Sequence, residues 1–338
     1  VKGSTYGIYK DIRTTFIQDQ SNMFFWGELR VGGELWGPSP WYNVWVGKDV
    51  IESKMTASNS SCGWSELYEA IDHANAVLKY APSENISMSE KDRSWAIGQA
   101  SFARAYCYFW AARLWGDVPL NLLPIESVSQ QECYPVRNPK AEVYAQIGKD
   151  IETALQYADD LGTSRYYATK TAVNMLKAEY GLWMYRNQNG GTGYLDLVQE
   201  ALAAIGISSD LLEEDYGSIF DRMKKNDTHS KNSKEVIFAL YNNQTESLTG
   251  GYSRYFAFPS GDISKSYWTQ VPLMETQWLN YSEGYVKMMR ESRDSRGDTR
   301  VKYNLGDENC GIDGGNRYWC NKYTGLMDGT TKAIRDCD

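Results

Sequence analysis

The sequence predicts a mainly α-helical protein: a tetratricopeptide-like scaffold of helical hairpins with long irregular loops and a few short strands. Three observations predict it. Apolar residues recur at three- and four-residue spacing through most of residues 1–205. Tyr68, Tyr106, Tyr144 and Tyr180 fall one to each of four successive helical stretches at nearly even intervals. That is a hairpin rhythm, although too loose for a regular tetratricopeptide array. Between and after these stretches the periodicity fails while aromatic residues stay dense.

The first helix is expected from Gly7 to about Leu29, with Ile8, Ile12, Phe16, Met23 and Trp26 as its apolar positions. From Val31 to Cys62 Gly, Pro, Ser and Trp crowd together, as in GGELWGPSPWYNVWVGKD. A loop this long in a compact domain is functional or disordered, and its aromatic density argues against disorder. WSELYEAIDHANAVLKYAP then carries Trp64, Leu67, Tyr68, Ile71, Ala74, Asn75 and Leu78 at helical spacing, with Ser61 as the candidate cap and Pro82 as the stop. RSWAIGQASFARAYCYFWAARLWG is apolar nearly all round, hence central, and ends at Gly116 with Pro119 beyond. PKAEVYAQIGKDIETALQYADDL gives the next helix, with Val143, Tyr144, Ile147, Ile151, Ala154 and Leu155 on one stripe. Thr169 opens TKTAVNMLKAEYGLWMYRN, which the run NQNGGTG breaks before a shorter helix from Tyr194 to Ile205.

Beyond residue 206 the pattern changes. KEVIFALYN reads as a strand, GGYSRYFAFPSGDISKSYWTQ as an aromatic loop, VPLMETQWL as a brief return of helix, and the last sixty residues as turns and short strands. The chain is expected to form a single domain over 1–338, with a helical scaffold over about 1–205 and a loop-rich, ligand-facing part over about 206–338.

Composition narrows the function. Hydrophobic residues at 42% and charged residues at 23% are ordinary for a folded chain. Aromatic residues reach 14%, with 25 Tyr and 12 Trp against 9 Phe, so most rings carry a polar handle suited to half-exposed surfaces. The net charge of −8 and the lack of a Lys/Arg-rich run exclude a nucleic-acid binder. No run of eighteen apolar residues occurs, and the first residues lack the basic start and apolar stretch of a signal peptide. Six Cys without a C-x-x-C pair and two His, His73 and His229, are poor material for zinc. Cys107 reads as a small buried hydrophobe. Cys310 and Cys320 flank a Gly-rich loop, and their spacing leaves a disulfide open. Asp307, Glu308, Asn309 and Asp313 read as solvated turn residues, since Gly311 takes a ligand position of the EF-hand spacing. Neither a metal nor a cofactor is expected.

Several segments together resemble the SusD/RagB family of outer-membrane nutrient-binding lipoproteins. GELR at 27–30 resembles the stretch before that family's first ligand loop, and WSELYEAIDHANAVL its W-x-x-x-Y-x-x-I-x-x-A-N helix. GQASFARAYCYFWAARLWGDVPL resembles its G-E-A-x-F-L-R-A-x-x-Y-F run with the following G-D-V-P. Gln99 stands for the usual Glu and Ala103 for the usual Leu, while Gly98, Ala100, Phe102, Arg104, Ala105, Tyr108, Phe109 and Gly116 to Pro119 hold. VYAQIGKDIETAL, ATKTAVNMLKAEYGLWMY, EVIF and the D-x-R at 298–300 follow in the family's order. The family's ends, a lipidated amino-terminal Cys and a carboxy-terminal helical region, are expected outside these residues.

The resemblance implies a non-catalytic binder of oligosaccharide or polysaccharide at the outer surface of the outer membrane. Its partner would be a SusC-like TonB-dependent transporter, and it would be attached only through a lipid anchor that this chain does not carry. Glycan capture needs flat rings against sugar C–H faces and amides, carboxylates or guanidinium groups for the hydroxyls. The 31–50 loop offers Trp36, Trp41, Tyr42 and Asn43, with Arg30 just before it; Trp45, between Val44 and Val46, is expected to pack the loop instead. Tyr252, Arg254, Tyr255, Phe256, Asp262, Tyr267 and Trp268 form a second cluster, of which Tyr255, Tyr267 and Trp268 are the candidate ligand contacts. The Trp-rich loop favours glycan over the nearest alternative, peptide capture by the same family. A second alternative is an all-helical glycoside hydrolase, for which carboxylates are too abundant to nominate a catalytic pair.

Overall fold

Helices form where periodicity and capping residues coincide. In this computed structural model the described residues are 1–17, 22–31, 35–36, 46–130, 133–221, 233–241, 258–259, 273–274, 279–305 and 318. Along the chain they form α1 (Lys2–Ile17), α2 (Asn22–Trp26), β1 (Leu35–Trp36), α3 (Val46–Ile51), α4 (Ser65–Tyr80), α5 (Glu90–Trp115), α6 (Lys140–Gln156) and α7 (Lys170–Asn187). After these come α8 (Gly193–Ile205), α9 (Ser218–Asp221), β2 (Phe258–Pro259), β3 (Leu273–Met274), β4 (Asn280–Tyr281), α10 (Glu283–Arg296) and α11 (Val301–Asn304). The residues group into two units: Val1–Thr15, Trp64–Leu211 and Ile237–Leu240 in the first, and Phe16–Gly63, Leu212–Val236 and Tyr241–Asp338 in the second.

In the first unit α4 packs on α5, α5 on α6, and α7 on α8; the connections are short from α4 to α5 and from α7 to α8, and long from α5 to α6. The 26-residue α5 is the central helix, and most of its residues from Ser94 to Ala112 are buried. Ser89 opens it, accepting from the Asp92 N–H at 3.1 Å, and Gly116 ends it at φ +73°, where a side chain would be strained. Alanines at 96, 100, 103, 105 and 111 have no exposed surface and let neighbouring helices approach closely. Gly98 serves the same purpose, because a Cβ there would lie 2.8 Å from Leu161 Cδ2. Full burial of Phe102, Tyr108, Phe109 and Tyr144 stabilises the unit by about 1.5–3 kcal/mol per side chain.

The recurring tyrosines stitch the layers by their hydroxyls. Tyr68 Oη donates to the Pro119 carbonyl at 2.6 Å, and Tyr180 Oη to the Tyr144 carbonyl at 3.1 Å. Tyr106 instead meets the rings of Phe102 and Phe238. Thr169 caps α7 through the Ala172 N–H as the sequence predicts, and Cys107 is buried, with its thiol pushed up by desolvation.

Four expectations need correction. Met23 is not a core position of the first helix: it is 43% exposed while Phe24 and Phe25 beside it in α2 are buried, and residues 18–21, between α1 and α2, lie outside the described residues. Ser61 does not cap α4, because it lies in a 3-10 turn, Ser60–Cys62, where its own N–H and hydroxyl donate to Asn59 Oδ1; Trp64 holds the cap position without a side-chain bond. EVIF is not a strand. Residues 237–240 join no ladder; Ala239 N donates to the Arg165 carbonyl at 3.0 Å, and Phe238 packs on Tyr9, Phe102 and Tyr106. Of the helix expected near 271–279, Leu273–Met274 are strand β3 and residues 275–278 lie outside the described residues, while a helix, α10, runs over residues read as turns.

The second unit is built differently. A small core of Val286, Met289, Val301, Leu305 and Tyr318 joins α10 to α11, with Tyr281 and Tyr285 packed against it. β1 pairs antiparallel with β4, Leu35 opposite Tyr281 and Trp36 opposite Asn280. β2 pairs parallel with β3, Phe258 opposite Leu273 and Pro259 opposite Met274.

Candidate functional site

The aromatic loop begins and ends on anchored elements. Ahead of it Phe24, Phe25 and Trp26 of α2 are buried, and Trp26 Nε1 donates to the Ser61 carbonyl at 2.8 Å while its ring meets Phe16 edge-on. Gly27 N donates to the Met23 carbonyl at 3.0 Å, and the next residues form a 3-10 turn, Glu28–Val31, in which Leu29 is fully buried and Arg30 is exposed. Behind the loop Val50 and Ile51 of α3 are buried. The 3-10 turns on either side, Glu28–Val31 and Ser60–Cys62, both pack on α3. The two stems of residues 32–45 are therefore held together, and β1 is tied to β4 between them.

Polar groups tighten the stem. Asn59 Oδ1 accepts from Ser61 N at 3.0 Å and Ser61 Oγ at 2.6 Å, and Asn59 Nδ2 donates to Asp49 Oδ2 at 3.4 Å. At the end of α3 Lys54 donates to Glu52 at 2.8 Å, which holds the Glu52 carboxyl below the usual range, and Lys48 lies 3.8 Å away one turn earlier. In β4, Asn280 is fully buried and its Oδ1 accepts from Tyr318 N at 2.5 Å.

Of the sequence-predicted ligand residues, Arg30 is seen on the exposed side of its turn, and Trp36 is placed by its backbone in β1. Trp41, Tyr42, Asn43 and Trp45 lie outside the described residues, as do Tyr252, Arg254, Tyr255, Phe256, Asp262, Tyr267 and Trp268. Cys310, Cys320 and the turn residues Asp307 to Asp313 lie outside them as well. For the second cluster the β2–β3 pairing defines the two ends of residues 260–272, which include Tyr267 and Trp268. Sequence reasoning missed α10; the signal was there in Ser282, whose hydroxyl accepts from the Tyr285 N–H at 3.3 Å and caps α10.

Other chemistry among the described residues is structural in character. His73 is exposed and its Nδ1 lies 2.5 Å from Asp11 Oδ2, an inter-helix tie of α4 to α1. No group of three His, Cys, Asp or Glu side chains is placed to hold a metal among them, and no helix there is long and apolar enough to cross a membrane.

Residues 34–178 match the model of a SusD-like family described as starch-binding and associating with the outer membrane. A SusD-like protein of Formosa agariphila is 21% identical over 295 residues, which is 84% of this chain and 56% of that protein. The chain thus spans little more than half of that relative's length. Surface glycan-binding protein A from Bacteroides fluxus superposes with a TM-score of 0.73 at 18% identity, covering 99% of this chain and 71% of that one. A laminarin-binding SusD-like protein gives 0.72 at 15% identity, covering 99% and 75%. The helical scaffold, the motif-bearing α4 and α5, and these matches agree: residues 34–178 resemble the SusD-like family, and the described chain shares the fold of its structural neighbours.

Proposed function

We propose that this chain is a non-catalytic glycan-binding protein of the bacterial outer-membrane surface, which holds an extended oligosaccharide or polysaccharide and passes it to a SusC-like TonB-dependent transporter. The observation that carries the reading is the closed stem of residues 32–45. A segment whose Trp41, Tyr42 and Asn43 are to meet a ligand needs a rigid base, and the buried Leu29, Val50 and Ile51 with the β1–β4 tie supply one. Binding sites carried on loops that a rigid scaffold positions are the common arrangement. The glycan binding named for two structural neighbours supports the ligand class. Arg30, Trp36, Trp41, Tyr42 and Asn43 would form one side of the site, and Tyr255, Tyr267 and Trp268 the other. A lipid anchor would hold the whole protein to the outer leaflet.

Affinity electrophoresis against laminarin, xyloglucan and starch, with product analysis on the same mixtures, tests this. Retardation by at least one polymer with no new reducing ends is expected. Release of reducing ends would overturn the non-enzyme reading, and absence of retardation by every polymer would overturn glycan capture.

A further inference from the structure

The elbow between α10 and α11 encloses a cleft of about 560 Å³, within the roughly 300–1,000 Å³ typical of small-molecule sites. Tyr285, Met288, Ser295, Arg296, Arg300 and Asn304 contribute to its lining. We propose that this cleft is an additional sugar subsite that takes neutral residues of the same glycan chain, a reading that rests on the proposed glycan-binding function.

The chemistry of the walls selects this ligand. Tyr216 Oη donates to Asn304 Oδ1 at 3.2 Å, which fixes the amide and leaves Nδ2 to donate to a ligand hydroxyl. Ser295 is exposed and its hydroxyl can both donate and accept, while the Glu291 carboxylate, 3.9 Å from Lys287, is an acceptor on the same helix. Tyr285 supplies a ring, its centroid 5.2 Å from that of Tyr281, and Met288 is 53% exposed beside it, so an apolar wall faces polar groups of both kinds. That mixture suits a pyranose, with its C–H face and its ring of hydroxyls.

Charge in the cleft is balanced. The D-x-R element closes on itself: Asp298 accepts from Arg300 N at 3.1 Å, from Nε and Nη2 at 2.8 Å each, and from Ser292 Oγ at 3.3 Å. Arg300 is thereby neutralised, and with Glu291 and Arg296 the lining carries two acidic and two basic side chains. A lining without net formal charge gives an acidic sugar no advantage over a neutral one.

Position argues for the same glycan chain. Tyr285, in the first turn of α10, sets its ring 5.2 Å from that of Tyr281, which pairs with Leu35 in the aromatic loop's own strand. That ring spacing of 5.2 Å plus one inter-strand spacing of about 5 Å put this wall roughly 10 Å from β1.

The test compares a trisaccharide with a heptasaccharide of the laminarin, xyloglucan and malto series by calorimetric titration, using the native chain, Ser295→Trp and Asn304→Ala. Both variants are expected to lose about fivefold or more in affinity for the heptasaccharide, the order of one or two hydrogen bonds, and to keep their affinity for the trisaccharide. Circular dichroism checks folding, and the exposed Ser295 site guards against a variant that fails to fold. Unchanged heptasaccharide affinity in both variants overturns the subsite alone. A native chain that binds no oligosaccharide overturns glycan capture, and the subsite with it.

Discussion

Gln99 and Ala168 satisfy each other in both directions: the Ala168 N–H donates to Gln99 Oε1 at 2.9 Å, and Gln99 Nε2 donates back to the Ala168 carbonyl at 2.9 Å. Tyr9 Oη donates to the same Oε1, and Nε2 reaches the Leu161 carbonyl at 3.3 Å. All of this is buried, where an unmet polar group costs about 1–3 kcal/mol. The amide is matched to its site because it donates and accepts at once.

Gln99→Glu therefore tests the network through pH. A carboxylate would face the Leu161 and Ala168 carbonyls, so its folded pKa must rise above the ordinary value near 4.3. Such a group's stabilising contribution is whole below the unfolded pKa and is lost as pH rises through the folded one. The stability of the variant from urea denaturation should approach the native value in acid and fall behind it by about 1–3 kcal/mol near neutrality. An equal gap at both pH values would mean that the site does not discriminate the two protonation states.

Arg104 and Asp150 form a buried two-pronged ion pair, Nε to Oδ2 at 2.8 Å and Nη2 to Oδ1 at 2.7 Å. Arg104 Nη1 also donates to Asn75 Oδ1 at 2.9 Å, so three helices meet at one guanidinium. Removing one partner leaves the other buried and uncompensated, a cost of about 3–5 kcal/mol. Arg104→Met and Asp150→Leu should each destabilise by that order, and the double variant should recover much of it. Chemical denaturation of the four chains decides, and strict additivity would refute the coupling.

That pair also shows how much of the scaffold was legible. Arg104, Asn75 and Gly98 sit in motifs that the sequence analysis singled out, and each performs a packing or bridging task between helices whose periodicity was plain. What escaped was structure that periodicity does not encode. α10 buries only Val286 and Met289, so SEGYVKMMRESRDSR looks like a solvated turn region until Ser282 is recognised as a cap. EVIF has strand composition, yet Phe238 is fixed by aromatic neighbours from α1 and α5 and not by a partner strand, which composition alone cannot reveal. For the site, composition marked the aromatic loop, and the structure adds its closed stem.

Two glycines in helices should respond oppositely to alanine. At Gly181 a Cβ would lie 2.7 Å from Val198 Cγ2 and 3.0 Å from the Tyr194 carbonyl, in the α7–α8 contact, so Gly181→Ala should cost about 1–3 kcal/mol by overpacking. At Gly7, inside α1, nothing lies within 4 Å of the added carbon, and Gly7→Ala should gain about 0.5–1 kcal/mol. Thermal melts of both variants are the check, and a destabilised Gly7→Ala would show that α1 has a neighbour at that position.

The stem predicts a separation of binding from stability. Trp26→Phe keeps a buried ring against Phe16 but removes the Nε1 donor to the Ser61 carbonyl, loosening the base of residues 32–45. Glycan affinity should fall several-fold while the far-UV circular dichroism of the helical scaffold is preserved. Unchanged affinity would mean that the loop does not depend on this anchor.

Trp41 carries the sharpest expectation for the site. It lies midway along a segment whose two stems are pinned, and a flat ring there is worth about 1–3 kcal/mol if sugar stacking matches the stacking of a base on an aromatic side chain. Trp41→Ala should then weaken binding about 5- to 150-fold. Trp45→Ala, at a position flanked by Val44 and Val46, should instead lower the melting temperature with a smaller effect on affinity. Titration with the polymer that retards the native chain, alongside melts of both variants, separates the two roles. Equal affinity of Trp41→Ala and the native chain would remove Trp41 from the site, and a reversal of the two phenotypes would exchange their roles within the loop.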